Sequence, residues 1–175
     1  MAAEQATTGG VAGTHPFRQA LARHAGGVAV VTGPGPVGLT VTSFTSASLN
    51  PPLVSLYVAQ SSTTWPGLRQ ARAFGVNLLA HDQSEVAARF ACQGVDRFAP
   101  PTRWHRGPLG VPFLDGASAR LVCLPERTIT IGDHWLLIGL VIGAELGKAT
   151  APLVYHHRRF GWFACQHHNS PSAIT

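Results

Sequence analysis

Short runs of β-branched and apolar residues, each bounded by glycine or proline, dominate the pattern of this chain. Such runs are typical of strands, and seven are predicted, over residues 28–32, 39–44, 53–59, 74–79, 119–124, 127–131 and 135–144. A parallel sheet would need a helix after most strands, and helical patterns are missing there. The pattern therefore predicts a mostly antiparallel barrel.

Helical periodicity is confined to short segments. Pro16 at a first helical position, followed by Phe17, Ala20, Leu21 and His24, predicts a short N-terminal helix that is ended by Gly26 and Gly27. Trp65 and Pro66 form a plausible second helix start. These elements are too short to cover a parallel sheet.

A third helix is predicted after residues 82–85, whose DQSE sequence has the spacing of a capping box, with Val86 and Phe90 on one face. Residues 97–114 contain four prolines and little periodicity, which favours a structured loop. The chain is therefore expected to comprise a flexible tail over 1–14, one domain over 15–164 and a second tail over 165–175.

Composition narrows the class of protein. Of 175 residues, 12% are charged and 45% hydrophobic, whereas about a quarter are charged in an average domain. Disorder is excluded because it needs more charge and less hydrophobicity. The longest apolar run, 135–144, is too short to span a membrane. We expect no signal peptide and no membrane association, and the shortage of charge leaves open what covers the surface.

The ionisable residues indicate small anionic ligands rather than nucleic acid. The net charge is +5, yet the basic residues are scattered instead of forming a stripe. Three widely spaced cysteines give neither a disulfide framework nor a metal-binding pair, which favours a reducing, cytoplasmic setting. No metal site is predicted, since the adjacent histidine pairs 156–157 and 167–168 would point in opposite directions along a strand.

Gly33, Gly35 and Gly38 form a GxGxxG motif, which in a dinucleotide-binding fold opens a helix. Here the following LTVTSF segment is β-branched, so a hairpin turn is predicted instead. More informative are the six hydroxyl residues among positions 40–48 and the SSTT sequence at 61–64. Hydroxyl and free N–H groups at two successive strand ends could converge on one phosphate, whereas each segment taken alone is more often a capped turn.

Gly132, Asp133 and His134 lie between two predicted strands. Gly and Asp suit a tight hairpin, and a histidine at a strand mouth could also face a cofactor ring. Position alone does not decide between these interpretations.

Taken together, these motifs resemble a known family. The segment GLTVTSFTSASLNPPLVSLYV at 38–58 is similar to the signature of flavin reductases with the FMN-binding split-barrel fold, the small NAD(P)H:flavin oxidoreductases of two-component monooxygenases. SSTTW at 61–65, FGVNLLA at 74–80 and GDHWLLIGLV at 132–141 follow in the family's order. The resemblance implies a mostly β, antiparallel, Greek-key split barrel with a few short helices.

The resemblance also implies roles for individual residues. His134 occupies the nicotinamide-side catalytic position. The implied flavin-binding residues form four groups. Thr40, Val41, Thr42 and Ser43 would line the isoalloxazine edge, and Ser46, Ala47 and Ser48 would reach the ribityl chain and phosphate. Ser62, Thr63 and Thr64 would contact the phosphate, and Arg89, Phe90, Tyr155 and Arg158 would lie near the flavin or at the entrance of its site.

The implied ligands are FMN or FAD, with NADH or NADPH as co-substrate, and the implied partners are a second copy of the chain and, transiently, a flavin-dependent monooxygenase. A homodimer would account for the shortage of charge, because obligate interfaces are depleted in charged residues. Two alternatives stay open: an enzyme that retains its flavin and acts on an organic substrate, and a non-catalytic flavin-binding module.

Overall fold

The computed structural model describes residues 13–148 and 151–163. The predicted C-terminal tail and most of the predicted N-terminal tail lie outside these residues. Three α-helices are present: α1 Thr14–Ala22, α2 Trp65–Gln70 and α3 Ser84–Ala91. The strands are β1 Gly26–Gly27, β2 Ala29–Gly33, β3 Val37–Val41, β4 Thr45–Leu49, β5 Pro52–Ala59, β6 Phe74–Leu78, β7 Trp104–Arg106, β8 Pro112–Leu114, β9 Ala119–Ile131, β10 His134–Leu146, β11 Leu153–His156 and β12 Arg159–Trp162.

A seven-stranded antiparallel sheet in the order β3-β2-β6-β9-β10-β5-β4 forms the body of the molecule. Just after β3 the chain contacts β5, the strand next to the β4 edge: the Ser43 hydroxyl donates to the Tyr57 carbonyl and accepts from the Tyr57 N–H, at 3.3 and 3.0 Å. The sheet is thus a barrel in which β3 and β5 approach each other without backbone pairing. The predicted mostly β, antiparallel fold is confirmed.

Two smaller sheets flank the barrel. β1, β11 and β12 form a three-stranded sheet, and β7 pairs with β8. The segment over 97–114, expected to be a loop, therefore contains a hairpin and a 3₁₀ turn at Pro108–Gly110. Gly26 and Gly27, expected only to end the first helix, pair with Tyr155 and Val154.

The interior of the barrel is filled from alternate positions of its strands. The core contains Val31, Leu56, Phe74, Val76 and Leu137, all of them buried. Successive strand residues point to opposite faces, so Leu136 and Ile138 lie on the outer face of β10 and are only half-buried. One side of the long apolar strand β10 is therefore only partly covered by the part of the chain that the structure describes.

The GxGxxG segment forms the predicted hairpin, with β2 and β3 paired from Ala29–Val41 to Gly33–Val37. By contrast, the two strands predicted over 119–131 are one continuous strand. Pro125 does not end β9, because it coincides with a register shift opposite Ile138 and Gly139. A proline is tolerated at such a bulge, where the ladder is already interrupted.

The predicted capping box does not form. Helix α3 begins at Ser84 with Gln83 as its N-cap and no side-chain cap hydrogen bond. The Gln83 side chain instead accepts from the Ala80 N–H at 3.0 Å and donates to the Asp115 carbonyl at 2.8 Å. Tertiary contacts of a buried amide thus outweigh the local capping preference of Asp82.

Candidate functional site

A groove lies between β3 and β5, where the two strands are not paired. It consists of two adjoining cavities of about 300 and 210 Å³. Both cavities are lined by Leu39, Thr40, Ala59 and Ser62, so they form one continuous groove. The first continues to Val41, Thr42, Ser43, Tyr57 and His134, and the second to Ser61, Thr63, Thr64, Phe90, Ala91, Gln93 and Arg97.

Part of the two hydroxyl-rich segments lines this groove: residues 40–43 of the first and residues 61–64 of the second, whereas Ser46 and Ser48 lie outside it. Thr40 donates its hydroxyl proton to the Ala87 carbonyl at 2.7 Å, which fixes its side chain and leaves its oxygen lone pairs as acceptors. The Ser62 hydroxyl accepts from the Thr64 N–H at 3.3 Å, the geometry of a hydroxyl-stabilised turn. The two interpretations of these segments are therefore compatible: they are capped turns that also line a common groove.

Arg97 is a groove residue that sequence reasoning missed. Its Nη1 donates to the Gly38 carbonyl at 2.7 Å and to the Thr64 hydroxyl at 2.6 Å. Its Nε and Nη2 both donate to the carbonyl of Cys92. These partners are as many as 59 residues away in the chain, so no local pattern marks Arg97. It places a positive charge at one end of the groove.

His134 lies at the opposite end of the groove, as the first residue of β10 directly after the β9–β10 turn. Its Nδ1 is 2.7 Å from Oδ1 of Asp133. The hydrogen bond from His134 lowers the pKa of the Asp133 carboxyl below its usual value. The turn itself is held by Gln60, whose N–H donates to the Asp133 carbonyl at 2.9 Å and whose side chain donates to the Gly132 carbonyl at 3.1 Å. A histidine with one oriented ring nitrogen thus faces the groove.

Phe90 and Arg89 occupy different environments at the end of α3. Phe90 is fully buried beneath the groove, where a Cβ on Gly38 would come within 2.8 Å of its ring. The Arg89 side chain donates from Nη2 to the Pro100 carbonyl at 3.2 Å and does not line the groove in the described residues. Phe90 therefore supports the groove, while Arg89 faces the 97–114 segment.

The other residues implied by the resemblance lie away from the groove of this chain. Ser46, Ala47 and Ser48 belong to β4, the edge strand that pairs with β5. Tyr155 lies on β11, with its ring 5.3 Å from that of Phe160, and Arg158 lies in the β11–β12 turn with a φ of 62°. Within the ranges that the structure describes, none of these side chains lines the groove.

A larger cavity of about 500 Å³ lies beside the β11–β12 hairpin. It is lined by Val154, Phe160 and Trp162 together with His156 and Arg159. The groove has more convergent polar chemistry, with hydroxyls, an oriented histidine and an arginine that forms no ion pair within the described ranges, which is typical of a ligand site. We therefore place the functional site in the groove.

Other kinds of site find no support in the described ranges. No cluster of three or more histidine, cysteine, aspartate or glutamate side chains is arranged to hold a metal ion there. The Cys123 thiol lies in the core, where burial raises its pKa to about 12, so it stays protonated and unreactive. None of the helices in these ranges has the length and apolar character needed to span a bilayer.

The groove can hold an elongated anion that carries an apolar ring. Leu39, Val41 and Ala59 provide apolar surface, the hydroxyls of Thr40 and Ser62 provide hydrogen-bonding groups, and Arg97 provides the charge. A flavin nucleotide has these parts in this order: a conjugated ring, a polyhydroxyl chain and a phosphate. The residues present therefore fit a flavin.

Comparison with known proteins agrees with this geometry. Residues 21–164 match the model of the flavin reductase like domain. The chain is 40% identical over 151 residues to an NADH:FMN oxidoreductase of Rhodococcus qingshengii, covering 82% of this chain and 79% of the relative.

Two solved structures are also similar. The NADH:FAD oxidoreductase SgcE6 of Streptomyces globisporus C-1027, in complex with NAD and FAD fragments, has a TM-score of 0.82 at 35% identity, covering 87% of this chain and 93% of SgcE6. BorF, the flavin reductase component of a bacterial two-component tryptophan halogenase, has a TM-score of 0.81 at 34% identity, covering 88% of this chain and all of BorF. On these findings, the chain belongs to the flavin reductase like domain family.

Proposed function

We propose that this protein is an NAD(P)H:flavin oxidoreductase that reduces FMN or FAD and supplies the reduced flavin to a separate monooxygenase. The observation that carries the proposal is one continuous groove with His134 at one end and the cation of Arg97 at the other. Family membership and relatives that oxidise NADH with FMN or FAD support it.

The groove residues would divide the flavin between them. Thr40, Val41, Thr42 and Ser43 would line the isoalloxazine ring, while the 62–64 turn and Arg97 would hold the phosphate. When bound, the flavin supplies the redox chemistry by accepting hydride from the nicotinamide. The protein is required mainly to orient the two rings and to stabilise charge on the reduced flavin. This explains why no acid–base pair of carboxylates stands out.

His134 would act at the nicotinamide side. Because its Nδ1 faces Asp133, its Nε2 is the ring nitrogen left to contact a ligand in the groove. A donor or acceptor at that point would fix the carboxamide of the nicotinamide and hence the angle at which its ring stacks.

A homodimer is part of the proposal. The outer face of the sheet carries Tyr57, Leu136 and Ile129 side by side across β5, β10 and β9. Tyr57 and Ile129 are 40% and 39% exposed in the single chain, and Ile131 is 45% exposed. Apolar faces of this kind are typical of obligate interfaces. Because Tyr57 and His134 also line the groove, the interface would border the flavin. Tyr155 and Arg158 do not line the groove of their own chain in the described ranges, and in the dimer they would approach the groove of the other subunit.

The oxygenase partner and the cellular setting follow from the same function. A groove lined largely by neutral hydroxyls, with a single arginine at one end, suits a flavin that leaves after reduction. BorF serves a separate halogenase, which supports a comparable division of labour here. Cys92 and Cys123 are free thiols, consistent with our proposal that the protein acts in the cytoplasm.

The test is a cross-screen of purified protein with NADH or NADPH and with excess FMN or FAD. We expect the absorbance of the reduced nicotinamide to fall in at least one combination, and the flavin to separate from the protein on gel filtration. Lack of turnover in all four combinations would contradict the proposal. Flavin that stays bound through gel filtration would instead favour an enzyme that retains its cofactor.

A further inference from the structure

We propose that this protein prefers FAD to FMN, because a third cavity beyond Arg97 accepts the second phosphate and the adenosine of FAD. The inference rests on the proposed function and names the flavin that the groove takes. It starts from a cavity of about 210 Å³ that shares Thr63, Thr64 and Arg97 with the phosphate end of the groove.

The cavity extends the groove away from His134. Its remaining walls come from the β2–β3 turn and from the segment that follows α3: Pro36, Val37, Gly38, Val95, Asp96 and Phe98. A ligand whose ring lies at His134 and whose phosphate lies at Thr64 would enter this cavity only by continuing past that phosphate. FMN ends there, whereas FAD continues with a second phosphate, a ribose and an adenine.

Arg97 stands at the junction and carries a charge that the protein leaves unneutralised. All four of its observed hydrogen bonds go to uncharged acceptors, namely the carbonyls of Gly38 and Cys92 and the hydroxyl of Thr64. None of the ion pairs found in the described ranges includes it. The Nη2 group has one N–H left, since a guanidinium has five. A fixed guanidinium between two cavities is suited to a diphosphate that passes from one to the other.

The far walls of the cavity suit a nucleoside. Val37 and Val95 offer apolar surface to a flat base, and Val95 is 48% exposed, so it has room to contact one. Oδ1 of Asp96 accepts hydrogen bonds from the backbone N–H groups of Phe98 and Ala99, over 3.0 and 3.2 Å. Its Oδ2 remains an acceptor for a ribose hydroxyl.

NADH also carries an adenosine diphosphate, so its placement must be distinguished. For hydride transfer the nicotinamide has to stack at the His134 end of the groove, whereas this cavity opens at Thr63 and Thr64. The adenosine of FAD therefore lies closer to the cavity along the ligand path than the adenosine of NADH.

The experiment measures Kd for FAD and for FMN by flavin fluorescence titration in the full chain and in two variants. Val95→Glu adds a negative charge near the diphosphate, and Val95→Trp fills the same space without a charge. Leu21→Glu on α1, also at an exposed position, is the matched control. We expect the wild type to bind FAD more tightly than FMN, and each Val95 variant to raise Kd for FAD at least roughly tenfold more than Kd for FMN.

Equal affinities for the two flavins, or an equal change in both at Val95, would overturn the inference. A rise in KM for NADH with FMN as acceptor, without a rise in Kd for FAD, would assign the cavity to the nicotinamide and would also overturn it. In each of these cases turnover of NADH with FMN would leave the proposed function standing. Failure of both flavins to support turnover would instead reject the proposed function itself.

Discussion

Nδ1 of His134 lies 2.7 Å from Oδ1 of Asp133, its immediate neighbour in the turn between the two longest strands of the barrel. The contact fixes which ring nitrogen of His134 faces the groove. Because the pKa of Asp133 is lowered, the carboxylate keeps its charge to a lower pH than a free aspartate. The stabilisation from this contact is therefore present above the normal carboxyl pKa and is lost as the pH falls through the lowered value.

The first prediction separates the roles of these two residues. His134→Ala removes the group that we propose faces the nicotinamide and is expected to lower kcat/KM for NADH on the order of 10- to 100-fold. Asp133→Asn keeps an acceptor for Nδ1 of His134. Because the pair is exposed, kcat/KM for NADH should fall by no more than about fivefold. The measurement is kcat/KM for NADH as a function of pH in the acid range. In the wild type kcat/KM should fall where the Asp133 carboxylate becomes protonated, and Asp133→Asn should lack that part of the fall. An acid limb identical to that of the wild type would show that Asp133 does not position His134.

The second prediction concerns Arg97. Arg97→Lys keeps the charge but cannot reach Gly38, Thr64 and Cys92 together, so acceptors on the buried residues Gly38 and Thr64 lose a partner. A loss of about 1–3 kcal/mol in the free energy of unfolding is expected, measured by chemical denaturation. Arg103→Lys, at an exposed arginine, is the control and should leave stability unchanged.

Arg97→Met extends the same test to the ligand. Because the charge is lost, Kd for FMN should rise, while Kd for riboflavin, which lacks the phosphate, should change less. Equal changes for the two flavins would show that Arg97 does not interact with the phosphate.

The third prediction tests the packing of the barrel with two glycines of one strand. A Cβ on Gly139 would come within 2.4 Å of the Phe74 ring, whereas a Cβ on Gly143 would meet no atom within 4 Å. Gly139→Ala should therefore cost about 1–3 kcal/mol of stability through overpacking, and Gly143→Ala should be nearly neutral. Denaturation midpoints that fall equally in both variants would contradict this packing.

The fourth prediction addresses assembly. Ile129→Asp places a charge on the apolar outer face of the sheet and should convert the proposed dimer to monomer in sedimentation velocity. Leu109→Asp is the control, because Leu109 is exposed on the 3₁₀ turn and its φ of 56° is one that aspartate tolerates. A wild-type chain that sediments as a monomer at micromolar concentration would reject the dimer outright.

The sequence predicted the elements that have strong local signals. Gly33 to Gly38 were correctly expected to form a hairpin because β-branched residues follow them. The hydroxyl residues over 40–48 and 61–64 were expected to converge, and of these only 40–43 and 61–64 line the groove. Strand β4 was missed because its residues are small, polar and largely exposed. They hold a strand only by pairing with β5 at the edge of the sheet, which is a tertiary effect.

The site itself could be predicted only in part. Residues 40–43 and His134 lie at strand ends, where sequence patterns are informative. Arg97 could not be found, because its contacts join segments 33 and 59 residues apart and its neighbours form an irregular turn. The resemblance implied Tyr155 and Arg158 as flavin-site residues, but their surroundings depend on a second subunit in our proposal, and local sequence patterns do not predict contacts between subunits.

The account depends most on the groove between β3 and β5 being the place where flavin is bound and reduced. Ala59 lines both of its cavities, so Ala59→Trp should block it. Ala20→Trp on the exposed face of α1 serves as the control. Anaerobic mixing of each protein with reduced nicotinamide and flavin should show loss of the oxidised-flavin absorbance in the wild type and Ala20→Trp, and little loss in a folded Ala59→Trp. Flavin reduction by Ala59→Trp at the wild-type rate would contradict the account.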